Sequence, residues 1–205
     1  MDGVIIDSMP YHFFAWYEAL WKHGILVNGQ DIYEHEGEKW DSTLSNILQE
    51  NNRPADRKLM FKIFTDKRKI LHKIFKRHLM PGVPELIAEL KTKGYLLGIV
   101  SGTPTYDIRR LVPRQLLKLF DNIVGGDTVE RGKPHPDPYL QSTANLKLPP
   151  EECLVIENAP LGISAAKSAG CFCLAVTTSL PEPYLQKADK ICALKVLRET
   201  VLSVL

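Results

Sequence analysis

A set of short apolar runs in the second half of the chain, each cut off by small or polar residues, constrains the fold most. They are Tyr95–Val100, stopping at Ser101-Gly102-Thr103-Pro104; Asn122–Val124, stopping at Gly125-Gly126-Asp127; Cys153–Ile156, stopping at Glu157-Asn158; and Cys171–Val176. Helical stretches separate them, among them one running to Leu90 and ended by Gly94, and one from Gly162 to Ala169. Runs of this length between helices predict βαβ units and a parallel sheet covered on both faces.

The first part of the chain reads differently. Phe14, Tyr17, Leu20 and Trp21 recur at helical spacing and stop at Gly24. Asp41-Ser42-Thr43-Leu44 opens a second helix closing at Asn51-Asn52. Pro54 starts a third, with Leu59, Ile63, Phe64, Ile70, Leu71, Ile74 and Phe75 along one stripe. Its other face carries Lys62, Lys67, Arg68, Lys69, Lys73 and Lys76, a charge run expected to be a solvated face. The expected organisation is an α/β core of residues 1–7 and 80–205, interrupted by an all-helical insert of residues 8–79.

Composition narrows the function classes. With 44% hydrophobic and 24% charged residues the chain reads as globular rather than disordered. A net charge of +2 is too small to imply a nucleic-acid partner. No apolar run approaches the ~20 residues that a membrane helix needs, so no membrane partner is expected. Cys153, Cys171, Cys173 and Cys192 all lie in the last third. Cys171-x-Cys173 has the wrong spacing for a redox or zinc pair, so reduced core thiols in a cytoplasmic protein are expected.

In an open parallel sheet, ligands bind at the carboxyl ends of the strands. Those positions here hold Asp2, Ser101, Asp127 with Lys133 nearby, and the pair Glu157-Asn158. Carboxylates and an amide oxygen suit Mg²⁺, while a hydroxyl, main-chain N–H groups and a lysine neutralise a transferring phosphoryl group. The expected partner is a small phosphorylated molecule.

Motifs at these places carry a resemblance. Met1-Asp2-Gly3-Val4-Ile5-Ile6-Asp7-Ser8 is similar to the tail of Asp-x-Asp-Gly-x-x-x-Asp-Ser. Val100-Ser101-Gly102, Lys133-Pro134-x-Pro136-x-Pro138 and Val155-Ile156-Glu157-Asn158-Ala159-Pro160-x-Gly162-Ile163 follow in order. The chain thus resembles the haloacid dehalogenase-like hydrolases, in their phosphoglycolate phosphatase and β-phosphoglucomutase branch. The resemblance implies a Rossmann-like core, with the helical insert as a mobile cap that closes over the site and excludes water.

It also implies roles. Asp2 is the general acid and then base, with its carbonyl on Mg²⁺. Ser101 and the N–H of Gly102 bind the phosphoryl group, and Lys133 pairs with the nucleophile and the phosphoryl oxygens. Glu157 and Asn158 hold the metal. His12 stands where mutases have a histidine reaching the acid/base aspartate. Asp7 and Ser8 are hinge and capping residues. The nucleophilic aspartate is expected just upstream of Met1, at the end of a strand of about five residues.

Two departures stand out. Many relatives carry Glu-Asp where this chain has Glu157-Asn158, which removes one charge and gives Glu157 the larger expected share of the metal. Where mutases carry a cap arginine, this chain has Trp40, with Lys39 next to it as a point charge. Trp16, Lys39 and Trp40 are expected on the cap's inner face, closing on the leaving group. The leading reading is a Mg²⁺-dependent phosphatase, a monomer or weak dimer. The alternatives are a hexose-phosphate mutase and a non-catalytic member of the fold.

Overall fold

The helical part of the chain builds its own core. The computed structural model describes residues 1–205. Helices α1 (Met9–Trp21), α2 (Gly29–Glu34), α3 (Trp40–Glu50) and α4 (Arg57–Ile74) make up the insert, with α1 packed along α4. Trp16, Leu20, Leu44, Ile47, Leu48 and Ile63 are buried together there, apart from the apolar clusters of the sheet. Helix α4 begins three residues later than Pro54 predicts. The Asp56 carboxylate accepts from the Leu59 N–H at 2.8 Å and so sets the first turn. Helix α2 escaped the apolar pattern, although Asn28 and Asp31 form a reciprocal capping box at its start.

The expected solvated face of α4 needs correction. Lys67 is 6% exposed, and Arg68 forks onto Asp107 of the sheet-bearing part with two bonds of 3.0 Å. A one-sided stripe cannot say that a second body covers the polar face too.

From residue 80 on, helix and strand alternate. Helix α5 (Val83–Thr92) precedes β1 (Gly98–Val100), and α6 (Thr105–Leu111) and α7 (Arg114–Leu117) lead to β2 (Asn122–Val124). Then come α8 (Asp137–Leu146), β3 (Leu154–Glu157), α9 (Pro160–Ala169), β4 (Phe172–Val176), β5 (Lys190–Cys192) and α10 (Leu197–Leu202). All pairings among these five strands are parallel, in two separate sheets, β1-β2 and β3-β4-β5.

Strand β1 covers only half of the run Tyr95–Val100, because β2 is its only hydrogen-bonded neighbour. Between the β1 and β3 edges lies a cavity of about 270 Å³, lined mostly by apolar side chains such as Val4, Ile5, Ile99 and Ile156. Below it Ile6, Ile99, Ile108, Leu174 and Val201 share the main core. The four cysteines are free thiols; Cys171 and Cys173 are buried as expected, and Cys153 and Cys192 are half-buried.

The chain crosses between the two bodies twice, side by side. Asp7 N–H donates to the His78 carbonyl and Met80 N–H to the Ile5 carbonyl, each at 2.9 Å. A paired crossing of this kind leaves few backbone bonds to change when one body tilts on the other.

Candidate active site

The polar strand ends and the inner face of the cap enclose a narrow cleft of about 90 Å³. Asp2, Ser101, Gly102, Lys133, Glu157 and Asn158 line its floor, and His12, Glu36, Trp40 and Lys67 line the cap side.

Asp2 sits at the centre. Ser8 Oγ donates to its Oδ1 at 2.5 Å, Thr103 Oγ1 to Oδ2 at 3.3 Å, and Ser101 Oγ to Oδ2 at 3.5 Å. His12 Nε2 stands 3.2 Å from Oδ1, without the alignment of a straight hydrogen bond. The His12 Nδ1 lies 3.0 Å from Lys67 Nζ. An ammonium only donates, so Nδ1 accepts and Nε2 carries the ring hydrogen towards Asp2. Burial alone would raise the Asp2 pKa; the adjacent His12 imidazole and the Ser8 bond overcome it and hold the carboxyl far below its usual range. Burial and the neighbouring Lys67 lower His12. Burial lowers Lys67 to about 8.

Lys133 and Glu157 form the second group. Lys133 Nζ is 2.5 Å from Glu157 Oε1, which also accepts from Tyr139 Oη at 2.7 Å, while Glu157 Oε2 accepts the Asn158 N–H at 3.0 Å. Burial opposes ionisation of Glu157, but Lys133 outweighs it and brings the pKa down to about 2. Gly162 is required here, since a Cβ at that point of α9 would overlap the Glu157 carboxylate. Lys133, Tyr139 and the Asn158 N–H use three of the four lone-pair sites of Glu157 and leave one on Oε2, so a share of a metal stays open to it.

Two hard oxygens remain free. The Asp2 carbonyl and Asn158 Oδ1 accept no hydrogen bond. Gly3, at φ +65° and with no Cβ, lets the Asn158 amide lie against the Asp2–Gly3 peptide. No group of three or more His, Cys, Asp or Glu side chains is arranged to hold a metal. The donor set fits Mg²⁺, which takes a few protein oxygens and keeps several waters.

Other expected residues fall elsewhere. Asp127 is not in the cleft: it accepts from the Thr105 N–H at 2.7 Å and hydroxyl at 2.9 Å, fastening the start of α6. Lys39 does not line the cleft either. Its ammonium donates to the carbonyls of Val129 and Glu130 at 3.2 and 3.0 Å, tying cap to core. Trp40 does line it, with its ring stacked on Phe64 at 4.5 Å. Gly102 is pressed against the Gly37 and Glu38 carbonyls of the cap, which leave no room for a Cβ.

Four contributors were not foreseen from sequence. They are Lys67, the Thr103 and Tyr139 hydroxyls, and Glu36, which is 9% exposed with a pKa raised to about 8 by burial. A signal for Glu36 was present in its neighbour Gly37, whose φ of +86° turns the loop against the Lys133 side chain.

A carboxylate, a lysine and a hydroxyl gathered at the strand ends of a parallel sheet, under a helical lid, define an α/β enzyme built to handle phosphoryl groups. A family model described as haloacid dehalogenase-like hydrolase matches residues 1–176, and the chain belongs to that family. It is 32% identical over 193 residues to a beta-phosphoglucomutase of Bacillus subtilis (strain 168), covering 88% of this chain and 82% of that protein. It is 30% identical over 192 residues to a phosphoglycolate phosphatase of Escherichia coli (strain K12), covering 83% and 76%. A solved structure of a candidate beta-phosphoglucomutase from Bacteroides vulgatus superposes with a TM-score of 0.90 at 30% identity, over all of this chain and 86% of that one. These relatives place the chain among phosphoric monoester hydrolases and their phosphomutase kin.

Proposed function

We propose that the protein is a Mg²⁺-dependent phosphatase of a small phosphorylated metabolite, working through an aspartyl-phosphate. The observation that carries this reading is Asp2, held between Ser8, Thr103 and His12 in a cleft shared with the Lys133–Glu157 pair. The core is residues 1–7 and 80–205, and the cap residues 8–79. In this reading the phosphoryl-accepting aspartate is the one that the family resemblance puts two positions before Asp2.

In this reading the aspartate carboxylate attacks phosphorus and the P–O bond to the alcohol breaks. Asp2, ionised before substrate arrives, takes up the proton that a phosphate monoanion carries in and gives it to the departing oxygen. The Asp2 carboxylate then takes a proton from the water that attacks the acyl phosphate, releasing inorganic phosphate and restoring both groups. Lys133, Ser101 and the Gly102 N–H neutralise charge on the phosphoryl oxygens. When bound, Mg²⁺ adds electrostatic stabilisation of those oxygens; the Asp2 carbonyl and Asn158 Oδ1 would hold it. His12 rides on α1 and Lys67 on α4, so seating of the cap sets the proton state of Asp2.

A second reading, a hexose-phosphate mutase, is favoured by the His12 approach to Asp2; Trp40, stacked on Phe64 in place of a bidentate arginine, opposes it. The test is incubation with Mg²⁺ and a panel of phosphorylated metabolites that includes glucose 1-phosphate. Inorganic phosphate is the expected product, abolished in Asp2→Asn; glucose 6-phosphate in its place would establish the mutase. Adding an apolar strand ending in aspartate ahead of Met1 should raise turnover of p-nitrophenyl phosphate. Equal turnover without it would overturn the nucleophile assignment.

A further inference from the structure

Glu36 reaches from the cap into the floor of the cleft, and its only side-chain partner is Asn158. Asn158 Nδ2 donates to Glu36 Oε1 at 3.0 Å and Oε2 at 3.1 Å, and to Ser179 Oγ at 2.7 Å. Both amide hydrogens are thereby used. With Glu36 ionised, as a cation beside it favours, the amide cannot turn over without setting Oδ1 against the carboxylate oxygens, a repulsive contact in a buried place. Oδ1 accepts nothing from the protein, and the amide packs through its nitrogen against Gly3, where a Cβ would overlap it. We propose that Glu36 is a positioning residue of the cation site: by gripping the Asn158 amide nitrogen it turns Oδ1 towards the cation.

The consequence is a link between the two bodies. Glu36 follows α2 in the cap, whereas Asn158 follows β3 in the core. The grip exists only when the cap is seated, so a cation at Asn158 and a closed cap favour each other by linkage. A core aspartate would need no such help, because either carboxylate oxygen serves. An asparagine offers one oxygen and one nitrogen, and the cap selects between them.

The inference rests on the Mg²⁺ site of the proposed reading, and calorimetric titration of Mg²⁺ into four proteins separates the two. These are the wild type, Glu36→Ala, Asn158→Ala and the double variant, each checked for native melting. Losing a charge-assisted hydrogen bond that fixes the amide should weaken Mg²⁺ about tenfold in Glu36→Ala. The double variant should be no weaker than Asn158→Ala alone, because Glu36 acts only through Asn158. Glu36→Gln keeps an acceptor oxygen and should recover affinity to within about threefold of wild type. Solution scattering should show that Mg²⁺ compacts the wild type and not Glu36→Ala. If Asn158→Ala loses affinity and Glu36→Ala does not, the inference fails and the metal site stands. If the two losses add in full, Glu36 acts on the cation by itself and the positioning role is overturned. If the wild type and Asn158→Ala titrate alike, the metal site itself is wrong and the inference falls with it.

Discussion

The two walls of the cleft are held in different ways. On the core wall, Ser101, Glu157 and Asn158 stand at strand ends, and Lys133 is clamped by Glu157 at 2.5 Å. Their positions follow from the backbone of the sheet. On the cap wall, Glu36, Trp40 and Lys67 sit on helices or a loop; Glu36 bonds across the boundary to Asn158, while Lys67 meets His12 and Trp40 stacks on Phe64 within the cap. The seat of that wall is an ion cluster, with Asp107 accepting two bonds from Arg68 and one from His72 at 3.2 Å. The core therefore keeps its chemistry in a rigid body. What the cap contributes to the cleft depends on how it is docked on the core.

The largest expected effect tests the core wall. Lys133→Met strands a buried Glu157 carboxylate and should cost about 3–5 kcal/mol of stability, read from urea unfolding. Lys133→Met with Glu157→Gln should recover most of the loss. If the double variant is as unstable as the single, the pair is not the clamp described here.

Lys67 should behave in the opposite sense. Its pKa falls from 10.5 to about 8 on folding, so the folded state disfavours the charged form. The penalty is complete below pH 8 and is relieved as pH rises from 8 to 10.5. It amounts to on the order of 3 kcal/mol at full shift. Wild-type stability should therefore gain over that window relative to Lys67→Met, and the Met variant should be at least as stable at pH 7. Parallel pH–stability curves would remove Lys67 from the buried set.

Next in size is the seat of the cap. Asp107→Asn removes the charge that gathers Arg68 and His72, at a cost of about 1–3 kcal/mol. It should enlarge the radius of gyration in solution scattering, whereas Lys133→Met at a temperature where it stays folded should not. Expansion in both would mean that the two walls are not held independently. The smallest effect is expected at Trp40→Leu, which loses the stack on Phe64 for about 0.5–1.5 kcal/mol. It should shift KM among sugar phosphates more than kcat.

Much of the core wall was legible along the chain. Strand β2 falls on the residues that the apolar run marks, and β4 loses only its first residue. The β1 ladder is shorter because its length depends on how many neighbours it has. Strand β5, Lys190–Cys192, is three residues with a charged first position and carries no run to read. Asp127 shows the limit of reading strand ends, since the acid after β2 turns back to fasten α6. A carboxylate beside a helix start has a structural use wherever a free N–H is within reach.

What the sequence by itself determined was the alternation of β1 to β4 with helices, the helical insert, and the places of Ser101, Glu157 and Asn158 at strand ends. Each of these depends on a few consecutive residues, because a strand presents its next side chain at a place set by the sheet. Only the tertiary structure decided that Lys67 and Arg68 leave the solvent, that Lys39 bonds to carbonyls rather than facing the cleft, and that Glu36 meets Asn158. Glu36 and Asn158 are 122 positions apart in the chain. Contacts between two separately folded bodies depend on how their surfaces dock, and docking leaves no period in the sequence of either one.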